Sequence, residues 1–174
     1  HAAACGKCSN CTGHRLGADY PKDLAEEAVR FLDRLSLPIE PRKLWPQGSS
    51  FEGQHGRIAV ELQAQEGRAL CEWGDRSMGA LVRDGKHQGH FPDHLVDAAN
   101  HLIAGRWRPK PRPEWVTCVP SQRHPALVPD FARRLAARLG LPFVPCIRKV
   151  RATEPQKTRE NSFQQAHNLE HSFE

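Results

Sequence analysis

The chain has 174 residues, 39% of them hydrophobic, and its 25 Lys and Arg outweigh 20 Asp and Glu to leave a net charge of +5. That length holds one ordinary domain or two small ones. No apolar run approaches the ~20 residues of a spanning helix, and no charged start followed by an apolar stretch reads as a secretory leader. The expectation is a soluble cytoplasmic protein with no membrane partner.

Residues 1–19 contain "CGKCSNCTGHRLGAD", loop-rich and without apolar periodicity. The C-x2-C-x2-C spacing lets the thiolates of Cys5, Cys8 and Cys11 converge on one ion, and zinc suits three soft ligands best. An iron–sulfur cluster or a redox thiol group is the alternative. The fourth ligand is open among His1, His14 and a residue upstream. Cys71, Cys118 and Cys146 are scattered in apolar or helical surroundings and are expected as reduced thiols.

The pattern "DLAEEAVRFLDRL" predicts a helix over 23–35, with Asp23 as N-cap and Glu26 completing a capping box. A Pro-rich stretch follows, then an alternating strand over 57–62. Residues 67–84 are expected to be helical in part, despite Gly74 and Gly79. A further helix spans 93–104, its apolar face formed by Leu95, Val96, Ala99, Leu102 and Ile103. Three prolines then favour an extended path through 109–113. A strand over 115–119 ends at Pro120. The next helix carries Phe131, Leu135 and Leu139, with Gly140 as its C-cap. A second strand covers 142–147. Strand–helix–strand order implies parallel pairing and an α/β fold.

Charge is unevenly placed. Residues 105–159 hold thirteen Lys and Arg against Glu114, Asp130 and Glu154, a local balance of +10. A basic block of this kind points to a polyanionic partner. Loops after parallel strands lie at the edge of the sheet where ligands bind. Ser121, Gln122 and Arg123, just ahead of a helix start, are therefore expected to face phosphate. The alternative is a tight loop in which Arg123 pairs with a carboxylate. Further on, Arg148, Lys149, Arg151, Lys157 and Arg159 are each expected to neutralise a phosphate of DNA or RNA. Gln156, Asn161 and Gln164 are candidates for added polar contacts, and Phe163 is the sole aromatic candidate for stacking there.

Two resemblances add to this reading. "CGKCSNC" resembles the zinc subdomain of RecQ-type DNA helicases, which implies Zn2+ on Cys5, Cys8 and Cys11 and a fourth cysteine from a helix earlier in the chain. "VRDGKHQGHFPDHLVDAANHLI", "WVTCVPSQRHP" and "IRKVRATEPQKTRENSFQQAHNLEHSF" resemble the ComF-like phosphoribosyltransferase fold, with His87 where that family carries an aromatic. The combination, with "PIEPRKLWP" and "RALCEWGD", resembles the C-terminal part of bacterial RecQ-like helicases of the RqlH type. It implies a zinc knuckle over 1–19, a connector over 20–78, winged-helix-like at best, and an incomplete, Rossmann-like phosphoribosyltransferase-like parallel-sheet domain over 79–174. It also implies an accessory region of an ATP-dependent 3'-to-5' DNA helicase in repair or recombination. Its partners would be DNA, the helicase core of the same parent protein and repair proteins, in a nucleoid-associated location.

The chain carries neither a G-x-x-x-x-G-K-[ST] loop nor a D-E-x-H box, so ATP and Mg2+ belong to the motor and no catalytic residue is assigned here. The adjacent acid pair that holds phosphoribosyl diphosphate in the transferase family is also missing from the sequence. A ComF-like phosphoribosyltransferase or a protein-docking module are the competing readings.

Overall fold

The computed structural model describes residues 6–7, 9–13, 21–33, 36–46, 53–75 and 77–174, in two compact units, His1–Leu35 and Ser36–Glu174.

In the first unit, α1 is the single turn Ser9–Thr12 and α2 spans Lys22–Asp33. Helix α2 begins one residue before the expected cap. Its first bond runs from the Ala25 N–H to the Pro21 carbonyl at 3.2 Å. Asp23 thus stands in the first turn, where its charge complements the helix dipole. Leu24 and Phe31, whose spacing sets them on one face of the helix, are 57% and 64% exposed.

The second unit mixes helices with a small two-stranded sheet and falls within the broad α/β class. Strand β1 (Leu37–Ile39) pairs antiparallel with β2 (Gly67–Ala69), setting Pro38 opposite Arg68. Proline is tolerated because alternate N–H groups of an edge strand point away from the ladder. The expected strand at 57–62 reduces to one antiparallel bridge between Leu44 and Arg57. Val60–Leu62 then form a 3-10 turn. Ile58 is buried but Val60 and Leu62 are 76% and 64% exposed, and among the described residues no strand pairs with their segment.

The expected helix over 67–84 is split. After β2 the chain turns at Gly74, φ 89°, and α3 runs from Met78 to Gln88. Asp75 starts it. One carboxylate oxygen accepts the N–H groups of Ser77 at 2.9 Å and Gly79 at 2.7 Å. Gly79 is buried against that turn, and a β-carbon there would stand 2.3 Å from the Glu72 carbonyl oxygen. Gly79→Ala is therefore expected to destabilise the unit by about 1–2 kcal/mol, overpacking outweighing the better helix propensity of alanine. A thermal melt checks this, and an unchanged midpoint would show that the turn yields freely.

Helix α4 (Asp93–Asn100) continues into a π-helical segment, His101–Trp107, whose wider turn is closed by the Arg108 N–H on the Ile103 carbonyl at 3.0 Å. Leu95, Val96, Ala99 and Leu102 are buried, as their spacing predicts. They pack on α5 (Leu127–Leu139), which contributes Leu127, Ala132 and Ala136 to the core. Gly140 ends α5 in the left-handed region at φ 67°, and the Leu141 N–H reaches back to Ala136 at 2.9 Å. Phe91 and Phe131 meet edge to face at 5.6 Å. Arg134 ties the same corner. Its guanidinium donates to Asp93 at 2.8 Å, to the Phe91 carbonyl at 2.7 Å and to Asp130 at 2.7 and 3.0 Å.

The two expected parallel strands flanking α5 meet at a single parallel bridge, Val116 with Phe143. The Val116 N–H donates to the Pro142 carbonyl at 2.9 Å, and the Val144 N–H to the Val116 carbonyl at 2.8 Å. Among the described residues this pairing does not extend into a parallel, Rossmann-like sheet. Pro120, Pro142 and Pro145 supply no N–H for a longer ladder, and the Cys146 N–H bonds back to the Val144 carbonyl at 2.9 Å, turning the chain away.

The C-terminal stretch is folded back on the chain before it. Lys149 and Phe173 form an antiparallel bridge, and Ser172 beside it is fully buried. Helix α6 (Ser162–Leu169) lies between. Its cap was legible in "NSFQ": the Asn161 side chain accepts the Gln164 N–H at 2.9 Å, while Gln164 accepts the Glu160 N–H at 3.0 Å.

Candidate phosphate-binding cleft

The segment from Trp115 runs to Pro120, and the loop 121–126 carries the chain into α5. The Ser121 hydroxyl accepts the His124 N–H at 3.3 Å and holds the loop in a turn. No side chain caps the start of α5, where Ala126 occupies the capping position. Facing this loop is the folded-back stretch 146–157 with Leu169, Phe173 and Glu174 of the C-terminal end, and Lys86 comes from the last turn of α3. Together they enclose a cleft of about 1160 Å3.

Five residues expected to face phosphate share this cleft: Ser121, Gln122, Arg123, Lys149 and Lys157. Its charged groups are the cations Lys86, Arg123, Lys149 and Lys157 and the carboxylates Glu154 and Glu174. Glu174 is bonded by the Arg148 guanidinium, which lowers its opposition to an anionic ligand. Lys149 donates to the Thr153 hydroxyl at 2.6 Å and lies 5.6 Å from the centre of the Phe173 ring, so its ammonium is held in position. Among the described residues, Arg123 and Lys157 have no carboxylate partner.

The other three predicted cations do not line the cleft. Arg148 pairs with Glu174 across the bridge that closes the C-terminal end. Arg151 points its guanidinium at the carbonyls of Asn168 at 3.2 Å and Glu170 at 2.6 Å, closing the end of α6. Arg159 is half-buried, and its Nε has no hydrogen-bond partner. Gln156 and Asn168 are likewise engaged: Gln156 donates to the Gln165 carbonyl at 3.1 Å and accepts from Asn168 at 2.8 Å. A basic sequence block does not distinguish cations that meet a ligand from cations that hold the chain to itself.

Lys86 was missed. It opens the "KHQG" turn that resembles the transferase family's Lys-aromatic-x-Gly, but only the packing of α3 brings it to the cleft. Cys146, expected in apolar surroundings, is exposed at the cleft wall, its thiol 3.5 Å from the Thr117 hydroxyl. Burial pushes the thiols of Cys71 and Cys118 above their ordinary value, reinforced by Asp75 for Cys71 and partly offset by Arg133 for Cys118. Both are therefore poor nucleophiles at neutral pH.

Of the proposed metal ligands, Cys5 and Cys8 lie outside the described residues, as do His1 and His14. Cys11 sits in α1 and is exposed. Among the described residues no group of three or more His, Cys, Asp or Glu is placed to hold a metal ion. Among the same residues no helix is long and apolar enough to cross a membrane. No protein-family model matches the chain, and neither a curated protein nor a solved structure does.

Proposed function

We propose that the second unit binds the phosphate backbone of nucleic acid in this cleft, as the accessory C-terminal region of an ATP-dependent 3'-to-5' DNA helicase acting in repair or recombination. The observation that carries the reading is the convergence of Lys86, Arg123, Lys149 and Lys157 on one cleft from three separate parts of the chain. Zinc on Cys5, Cys8 and Cys11 belongs to the same proposal, resting on their spacing. So do the connector over 20–78, the helicase core as partner and the nucleoid-associated, cytoplasmic location.

One observation favours a second reading, binding of phosphoribosyl diphosphate. Val116 and Phe143 are bridged in parallel with α5 between them, and the loop before α5 opens on the cleft, as in a phosphate site of a reduced transferase scaffold.

The two readings separate in solution. Four cations engaging backbone phosphates give log affinity against log salt a slope of about −2.8 to −3.6 on fork DNA. That slope is the expected result. Thermal stabilisation by phosphoribosyl diphosphate, without salt-dependent DNA uptake, would move the assignment to the second reading. The absence of both would leave a protein-docking module.

A further inference from the structure

Trp73 lies in the turn between β2 and α3, far in sequence from the basic block. Its side chain is 65% exposed. Exposure of an indole on that scale is unusual, since tryptophan buries more of its surface than almost any other residue. The ring is not left to swing. The Lys86 ammonium stands 4.9 Å from its centre, a cation–π contact that takes one face and orients the plane. Lys86 also lines the cationic cleft. An exposed aromatic surface is thereby joined to the cleft through a cation that lines it.

We propose that Trp73 is a base-stacking platform for this cleft, and that the cleft consequently takes single-stranded rather than duplex nucleic acid. The inference rests on the reading of the cleft as a phosphate-backbone site and adds what that site selects. In a single strand each base offers an open π-face, whereas in a duplex those faces are covered by neighbouring pairs. Because Lys86 both lines the cleft and stands over the indole, a strand held there by its phosphates can lay a base on the ring. Base–aromatic stacking tolerates any sequence, so the selection is for strandedness and not for base identity.

The test uses the full chain and three probes: a thymidine oligomer of about ten nucleotides, an abasic oligomer of the same length, and a blunt duplex. Loss of one stacked base costs roughly 5- to 150-fold in affinity. The thymidine oligomer is expected to bind tighter than the abasic one by that factor and tighter than the duplex. Trp73→Ala brings the thymidine affinity down to the abasic value and leaves abasic binding unchanged, while Trp73→Phe retains part of the gain. Equal binding of the thymidine and abasic oligomers by the unaltered chain overturns the platform, as does duplex binding as tight as thymidine binding. A Trp73→Ala loss that is equal on both oligomers also overturns it, since Trp73 would then act only by positioning Lys86. If neither oligomer binds with salt dependence, the cleft reading itself fails, a result separable from failure of stacking.

Discussion

Replacing Arg123, Lys149 and Lys157 together with alanine is expected to remove most of the salt dependence of nucleic-acid binding. With four phosphates engaged, raising salt from 50 to 200 mM weakens the unaltered chain by about 50- to 150-fold. With Lys86 alone remaining, the same change weakens binding only about threefold. The control is a variant of equal charge loss away from the cleft, Arg106, Lys110 and Arg112 to alanine, whose slope should stay near that of the unaltered chain. Filter binding or anisotropy on fork DNA across the salt range reads both. Equal slopes for the two variants would mean that the partner senses net charge and not this cleft. Arg148 and Arg151 are poor choices for the test. Their guanidinium groups hold Glu174 and the end of α6, so their removal disturbs the fold that shapes the cleft.

Arg134→Met should cost the second unit about 2–3 kcal/mol, lowering its melting midpoint by roughly 6–10 °C. The Arg134 side chain is only 24% exposed and binds Asp93, Asp130 and the Phe91 carbonyl, joining the start of α4 to α5. Asp93 and Asp130 are 69% and 43% exposed, so water screens their attraction and the estimate stays below that of a buried pair. Burial on its own would favour the neutral guanidine, but the hydrogen bonds to Asp130 and Asp93 outweigh it and raise the pKa, so the group stays charged across the accessible pH range. Arg134→Lys should rescue little, because an ammonium lacks the planar fork that spans three acceptors. Full stability of Arg134→Met would show that apolar packing of α4 on α5 suffices alone, and full stability of Arg134→Lys that a single positive charge there is enough.

Helices carried by strong periodicity were legible from the residues. Leu95, Val96, Ala99 and Leu102 predicted α4 and the π-helical turn that continues it and are buried, and Gly140 marked the end of α5. Strands were less so. The alternation of 57–62 and the apolar runs at 115–119 and 142–147 met the local requirement for a strand, but a strand also needs a partner along its length. Prolines and a chain reversal at Cys146 limited the latter pair to one bridge. Helix α6 was passed over because Asn161 and Gln164 were read as polar contacts for a ligand, although they spell a cap.

From the residues alone came the helices of strong apolar period, the loop Ser121–Arg123 ahead of α5 and the excess of positive charge in the second half of the chain. These depend on neighbours in sequence: the 3.6-residue period, a helix stop, a count of charges. The tertiary structure alone decided which cations share a cleft. It added Lys86, kept Arg123, Lys149 and Lys157, and engaged Arg148 and Arg151 with Glu174 and the carbonyls at the end of α6. The reason is geometric. Whether a guanidinium meets solvent, a carboxylate or a helix end depends on chain segments far away in sequence, and charge carries no direction until the chain has folded.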